Sequence, residues 1–278
     1  MTSSKLNTLK DIIRSYDSCL VAYSGGVDSV LLAVIAHQVL GSGSLAVIAD
    51  TPSLPRAELK EAQEIAKHEG FALRILKTSE FENPEYLENN ENRCYFCRHE
   101  LFSLMKPIAQ TEGFSVIAYG EILEDASDHR PGSVAASEFQ VRSPLKEAGL
   151  SKAEIRELSR ELGLPTADKP SMACLSSRIP HGESVSPEKI RMIESGEKIL
   201  YGLGLKQFRV RHHELVMGCL ARIETGSEDI SKILDGFIRS EILEKFREIG
   251  YLQVTLDLAG YRKAGSMFIQ EKSATDRK

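Results

Sequence analysis

The run Ser24-Gly25-Gly26-Val27-Asp28-Ser29 constrains this chain more than any other stretch, because it directly follows a short apolar run at residues 18–22 and opens a helical pattern over residues 30–40. Two adjacent glycines let a backbone turn tightly and come close to a ligand. A helix beginning here offers unpaired N–H groups and the positive end of its dipole, which together suit an anion. Ser24 and Ser29 add hydroxyl donors. Asp28 repels a phosphate and reads instead as a ligand for Mg²⁺, a hard cation that takes oxygen donors. A plain strand–turn–helix connection is the competing reading. The context on both sides, as much as the string itself, favours a phosphate loop. No G-x-x-x-x-G-K-S/T pattern occurs in the chain. Gly41-Ser42-Gly43-Ser44-Leu45-Ala46 matches a loose dinucleotide fingerprint, but it precedes a strand pattern instead of following one, and that order rejects it.

The alternation continues through the first half. Apolar runs at residues 45–49, 72–76 and 115–119 read as strands. Between them lie a helix that Ser53 can cap, running to about Glu69 with Gly70 as its stop, and a helical pattern over residues 94–111 that Pro107 can kink. Strands spaced by helices predict right-handed βαβ units and a parallel sheet. Ligands of such sheets bind at the carboxyl ends of the strands, which gathers residues 23–29, 50–53 and 120–132 around one crevice. Residues 164–187 are punctuated by Pro and Gly, carry Cys174 and read as a loop. A helix over 187–201, strands at 207–212 and 219–224, a helix near 230–249 and a strand near 252–258 complete a β-β-α-β unit. The expected architecture is an α/β domain, residues 1–185, with helices on both faces of a parallel sheet, followed by a smaller α+β domain, residues 186–278. The charged tail after Ile269 is expected to be loose.

Charge narrows the partners. Lys plus Arg number 35 against 40 Asp plus Glu, a formal net charge of -5. That balance argues against a polyanion track, and so against nucleic acid as a partner. No apolar stretch is long enough to span a bilayer. The N-terminal residues 1–18 read as a short amphipathic helix without an apolar signal core, so the expected location is the cytoplasm. The five cysteines, an odd number, speak against a disulfide framework.

The phosphate loop resembles the PP-loop of the ATP pyrophosphatase superfamily, whose pattern is SGGxDS and whose members split ATP between the α- and β-phosphates, adenylate a substrate and release pyrophosphate. Further stretches resemble one family within it, LarE. They are residues 93–97, Asp128-His129-Arg130-Pro131-Gly132, Val141-Arg142-Ser143-Pro144-Leu145, residues 170–178, Arg209-Val210-Arg211, Leu220-Ala221-Arg222-Ile223-Glu224 and residues 254–267. Ala173-Cys174-Leu175-Ser176-Ser177-Arg178 is the most diagnostic. The resemblance implies an ATP-dependent sulfurtransferase that adenylates carboxylates of pyridinium-3,5-dicarboxylate mononucleotide and converts them to thiocarboxylates, on the way to the nickel-pincer nucleotide of lactate racemase. In some members the sulfur comes from a protein cysteine, left as dehydroalanine. In others three cysteines hold a [4Fe-4S] cluster whose open iron carries the sulfide passed on. The resemblance also implies a homo-oligomer, with a hexamer as the expectation, a nickel-inserting partner of the same pathway, and a donor that reloads the sulfur.

Cys94 and Cys97 form C-x-x-C near a helix start, so both thiols lie on one side of the first turn, where the helix dipole favours thiolates. In the resemblance Cys174 corresponds to the sulfur-bearing cysteine, and with it three thiolates would leave one iron of a cluster open. Zinc with His99 or His181 as a fourth ligand, and a sacrificial Cys174 without metal, stay open beside the cluster. Cys19 and Cys219 fall in strand patterns and read as core.

Adenylation needs charge neutralisation more than acid or base, because pyrophosphate leaves with several negative charges. The loop amides, Ser24, Ser29 and Mg²⁺ on Asp28 would provide it. Asp128 is a second Mg²⁺ candidate or a loop-capping residue, and Arg130 meets a phosphate or a surface carboxylate. Sulfide or the Cys174 thiolate then attacks the acyl adenylate, with Arg178, four residues on, steadying the transferring group. Arg209 and Arg211 alternate on a strand and share a face, which suits bidentate binding of the substrate phosphate; a solvated strand face is the alternative. By resemblance Glu197 and Glu224 are metal-ligand candidates, though each alone reads as charged surface. One stretch departs from the family pattern. After the fourth strand a Gly-Thr-Asn run and then Ala-Asp-Asp are expected, where this chain has Gly120-Glu121-Ile122 and Leu123-Glu124-Asp125. Nucleotide contacts and substrate choice at that edge are therefore open. Three other functions compete: a tRNA thiolase, which would carry extra basic surface; an amide-forming synthetase of the NAD or GMP type, which has no use for three cysteines; and a nucleotide-binding regulator without chemistry.

Overall fold

Four short strands build the first sheet. They are β1 (Cys19–Ala22), β2 (Ser44–Asp50), β3 (Leu73–Lys77) and β4 (Val116–Tyr119), in the order β3-β2-β1-β4 with every pair parallel. The computed structural model describes residues 2–124, 131–171 and 173–261. Alternation along each strand sends side chains to both faces. Leu20, Val47, Ile117 and Tyr119 enter one core with Phe102 and Met105 of α5 (Arg93–Glu112) and with Ala135 and Ala136 of α6 (Pro131–Glu138). Val21, Ala46 and Ile48 enter the other core with α1 (Thr2–Arg14), α2 (Val27–Leu40), α3 (Arg56–Glu69) and α8 (Lys152–Glu161). Helix α2 is apolar almost all round and buried from Ser29 to Ala36. A helix of that composition belongs in an interior, and contacts with β1, β2, α1 and α8 provide one. Two single-turn helices, α4 (Pro84–Leu87) and α7 (Pro144–Glu147), complete the unit.

The strand order reverses between β1 and β4, and in open parallel sheets that reversal opens a ligand crevice beyond the strand ends. The phosphate loop follows β1, and Gly120 follows β4. Arg142 runs beside β4, where Tyr119 N–H donates to Arg142 O at 3.0 Å and Arg142 N–H donates to Ile117 O at 2.8 Å. Helix α3 starts at Arg56 after Pro55 and not at Ser53. The Ser53 side chain is buried instead on Thr51, with the hydroxyls 3.2 Å apart, so its hydroxyl is spent within the loop. Pro107 lies inside α5 without ending it.

The chain divides into two compact units between Met172 and Ala173, whereas the sequence pattern changes near residue 185. Residues 173–186 join the second unit through polar contacts: Arg178 reaches Glu197, and Arg211 reaches Ser177 O. In that unit α9 (Pro187–Gly202), α10 (Ser227–Leu234) and α11 (Gly236–Ile249) accompany a sheet of β5 (Phe208–Leu215), β6 (Gly218–Thr225) and β7 (Tyr251–Leu256). Its order is β5-β6-β7, antiparallel then parallel. The expected single helix near 230–249 is two, because Asp235 leaves helical geometry and accepts from Phe237 N–H and Ile238 N–H as the cap of α11. Val210, Ala221 and Ile223 pack on Leu200, Ile242 and Phe246, which leaves Arg209, Arg211 and Glu224 on the opposite strand face. Among the described residues no helix is long and apolar enough to cross a membrane.

His212, on the packed face, is fully buried, with Nδ1 3.3 Å from the Tyr251 hydroxyl and Nε2 without a hydrogen-bond partner. Burial, aided by Lys189, pushes its pKa down to about 4. The native state therefore refuses a proton that the unfolded chain accepts near pH 6.5. Stability is unaffected above pH 6.5 and falls at about 1.4 kcal/mol per pH unit as pH drops toward 4. Urea midpoints at pH 7 and pH 5 are expected to separate clearly in the wild type and to converge in His212→Leu. An equal separation in both proteins would place the sensitivity on other groups.

Candidate active site

The phosphate loop is held open by its own hydroxyls. Ser29 Oγ accepts from Ser24 N–H at 3.1 Å, lies 3.0 Å from Ser24 Oγ and donates to Gly26 O at 3.1 Å. Gly25 has φ +73°, and a Cβ there would stand 3.0 Å from Ala62 Cβ on α3. Gly26 is the extended N-cap of α2 and has no side-chain cap, so the first amides of the helix face the crevice. At the end of β4 a Cβ on Gly120 would come within 3.2 Å of Ser29 N and 3.3 Å of Asp28 Cβ. Glycines on both sides therefore let two backbones meet at the switch point. Ser24, Gly25, Gly26, Asp28 and Ser29 come together as the sequence expects. Asp128 and Arg130 lie outside the described residues.

Three features of this crevice escape the sequence reading. The Lys152 ammonium, from the first turn of α8, sits 2.8 and 2.7 Å from the two oxygens of Asp28. Lys152 N–H donates to Glu124 Oε1 at 2.9 Å. Glu121, the departure from the family pattern, is turned inward and buried. It accepts from Ser133 Oγ at 2.8 Å, Ser143 Oγ at 3.1 Å and Lys146 Nζ at 3.1 Å. Burial works to raise its pKa, but these donors and the Tyr119 hydroxyl outweigh it and hold the carboxyl below its usual range. The Glu121 carboxylate thus ties α6 and α7 to the end of β4.

The cysteines separate by exposure. Cys94 is exposed and Cys97 half-buried in the first turn of α5, while Cys174 is exposed in the second unit. None of the five is in a disulfide. The donor set, three thiols that are not fully buried, suits soft metal chemistry. The three are distributed over both units, and among the described residues no three His, Cys, Asp or Glu side chains gather as a metal site within the structure. Cys19 is buried and its thiol is pushed up to about 12 by burial. Burial also raises Cys219, so both suit packing and not chemistry.

The Cys174 loop rests on a buried ionic frame. Arg178 is 1% exposed. Its Nη1 donates to Ala173 O at 2.7 Å and Cys174 O at 3.2 Å, and its Nε and Nη2 reach the two Glu197 oxygens at 2.9 and 3.4 Å. Glu197 also accepts from Val210 N–H at 3.2 Å. Arg211 binds both Glu224 oxygens at 3.0 Å and donates to Ser177 O at 2.7 Å. Both carboxylates proposed as metal ligands are thus engaged by guanidiniums. Arg209 is buried with its guanidinium 4.5 Å over the Tyr261 ring. Burial lowers its pKa, and Arg178 and Arg211 repel its charge in the same sense. Arg209, Arg211, Arg222 and Glu224 share this strand face, with Arg222 paired to Asp257 and the Arg178–Glu197 pair contributed by other elements, so that four guanidiniums meet three carboxylates, an arrangement that an added anion would stabilise.

No family model matches the chain. It is 43% identical over 262 residues to an uncharacterized protein of Synechocystis sp., covering 94% of this chain and 96% of that one. It is 31% identical over 262 residues to pyridinium-3,5-bisthiocarboxylic acid mononucleotide synthase of Lactiplantibacillus plantarum, covering 94% of this chain and 92% of the relative. A shorter match, 28% over 197 residues, is to one component of the glutamine-hydrolyzing GMP synthase of Methanopyrus kandleri, covering 65% of this chain and 62% of the relative.

Gly25 and Gly70 separate two constraints on the loop. Both have positive φ, but a Cβ on Gly70 meets nothing within 4 Å. Gly70→Ala is expected to cost about 1–2 kcal/mol for the backbone alone. Gly25→Ala is expected to cost more and to weaken ATP binding as well. Thermal melts and nucleotide titrations measure both, and equal losses would remove the Ala62 contact from the account.

Proposed function

This chain belongs to the pyridinium-3,5-bisthiocarboxylic acid mononucleotide synthase (LarE) family, and from that premise we propose that it uses ATP to adenylate carboxylates of pyridinium-3,5-dicarboxylate mononucleotide and replaces the activated oxygen with sulfur. The observation that carries the reading is a preorganised, amide-lined phosphate loop in the same chain as three accessible cysteines.

In the first step a substrate carboxylate oxygen attacks the α-phosphorus, the α–β bridge breaks and pyrophosphate leaves. The uncapped first amides of α2 and the hydroxyls of Ser24 and Ser29 are proposed to meet the phosphates, and Asp28 to take Mg²⁺. Asp128 and Arg130 are proposed to add metal and phosphate contacts. In the second step a sulfur nucleophile attacks the acyl adenylate and AMP departs. A [4Fe-4S] cluster on Cys94, Cys97 and Cys174 would supply, when bound, an open iron for that sulfur. Without it, Cys174 would give up its own sulfur. Its Sγ displaces AMP to form a thioester, and loss of the Cα proton then expels the thiocarboxylate and leaves dehydroalanine. In either route Arg178 is a positioning residue, fixing the Cys174 carbonyl and leaving the thiol to solvent. Arg209 and Arg211 are proposed to bind the substrate phosphate, with Glu197 and Glu224 as counter-charges that hold the guanidiniums in place. The same reading places the protein in the nickel-pincer pathway, as a homo-oligomer reloaded by a sulfur donor.

Protein purified without oxygen is expected to release pyrophosphate only when ATP and the dicarboxylate mononucleotide are both present. Asp28→Asn should slow that release on the order of a hundredfold or more. Pyrophosphate release that ignores the carboxylate substrate would sink the proposal. Iron and acid-labile sulfide assays divide the two sulfur routes. About four irons per chain, lost on replacing Cys94, Cys97 or Cys174, supports the cluster. No iron, with Cys174 losing the mass of hydrogen sulfide in one turnover, supports the consumed cysteine. Arg178→Lys keeps the charge but cannot span Glu197 and two carbonyls. It is expected to spare pyrophosphate release while thiocarboxylate formation falls at least tenfold, and an equal loss in both steps would deny it a positioning role.

A further inference from the structure

Lys152 takes no part in the scheme above, yet its ammonium contacts the one acidic side chain of the phosphate loop. Both Asp28 oxygens are engaged, at 2.8 and 2.7 Å. The root of the lysine is fixed: α8 begins with a Ser151–Glu154 capping box, and Lys152 N–H is held by Glu124. The tip is accessible to solvent, because the two side chains retain 33% and 25% of their exposure. Neighbouring cations are committed elsewhere. Lys146 is on Glu121, Arg56 on Asp50, and Lys169 on Glu58 and Glu61.

We propose that Lys152 is the resident counter-ion of the phosphate loop, which occupies Asp28 and keeps free divalent cations off it until ATP arrives, then passes to the β- and γ-phosphates as Asp28 takes the metal. The inference rests on the ATP reading above. Its physical ground is a competition for one carboxylate. An ammonium seated on both oxygens neutralises the carboxylate and repels an approaching metal ion. A partly exposed ion pair is weak enough to be exchanged. A free Mg²⁺ ion would have to shed water and expel the ammonium into solvent. Metal arriving on a triphosphate releases the ammonium beside new anionic oxygens instead. Lysine suits the transfer, since it is a compact charge with three donors on a flexible stem. Carried onto the leaving group, the ammonium would neutralise charge that grows as pyrophosphate separates. Lys152 is then a pyrophosphate-binding residue as well as a guard.

Mn²⁺ is the probe, with free ion counted by electron paramagnetic resonance, for wild type, Lys152→Met, Lys152→Arg and the Lys152→Met/Asp28→Asn double variant. Without nucleotide, Lys152→Met is expected to bind Mn²⁺ at least tenfold more tightly than wild type. The double variant should lose that site, and Lys152→Arg should resemble wild type. With Mn²⁺ present, Lys152→Met should bind pyrophosphate at least tenfold more weakly than wild type while its affinity for AMP stays the same. Equal Mn²⁺ affinity in wild type and Lys152→Met, or unchanged pyrophosphate affinity, overturns the proposal. A wild-type protein that binds neither ATP nor pyrophosphate overturns instead the functional reading on which the proposal stands.

Discussion

Two backbones meet at the end of β1 and β4 with no side chain between them, and the first unit depends on that approach. A phosphate site made of amides needs a helix start that nothing covers. Gly25 turns against Ala62 with φ +73°, and Gly120 passes the amide of Ser29 within reach of a missing Cβ. The second approach needs β4 beside β1. The sequence β3-β2-β1-β4 brings the fourth strand beside the first, so the two glycine-bearing ends flank one opening. The burial of α2 beneath the sheet then fixes the direction in which its amides point. An apolar helix is unusual at a binding site. Here its side chains anchor the core, and its N-terminal turn is the part left without a side-chain cap.

Local features of this arrangement were legible and distant pairings were not. The loop declares itself because its glycines, hydroxyls and acid are consecutive. The strands declare themselves because buried parallel strands are short apolar runs. Ser53 misled because a serine before a helix pattern is a good cap, while Thr51 and Pro55 fixed the local chain otherwise. Lys152 could not be read, because 124 residues separate it from Asp28. Glu121 was visible only as a departure. Its charge, which would be costly inside without donors, is met by Ser133, Ser143 and Lys146 from two later helices and the turn before one of them. Arg178 shows how spacing can mislead: four residues from Cys174 suggests contact with the transferring sulfur, but the guanidinium is spent on Glu197 and on backbone carbonyls.

Placement also sorts the cysteines more sharply than spacing does. A thiol must ionise to attack carbon or hold iron. Burial drives Cys19 up to about 12 and raises Cys219, so neither is available near neutral pH. Cys94 and Cys174 are exposed, and Cys97 is partly so. The accessible three are those the family resemblance selects, although exposure and resemblance are independent grounds.

Charge management is the same in both units. Among the described residues, the carboxylates that the sequence offered to a metal each carry a basic partner: Lys152 on Asp28, Arg178 on Glu197, Arg211 on Glu224. The pairs differ in mobility. Arg178, Arg211 and Glu224 are buried, Glu197 is partly so, and all four are hydrogen-bonded on several sides. Removing one partner there would strand a charge at a cost of about 3–5 kcal/mol. That rigidity suits a frame which holds a loop and which, in the proposed function, presents arginines to an anion. The Asp28–Lys152 pair is half open to water, where an ion pair contributes little and can be exchanged as ligands come and go. Strong pairs are therefore found where geometry must persist, and the weak pair lies on the loop where, in the proposed function, metal and phosphate enter and leave.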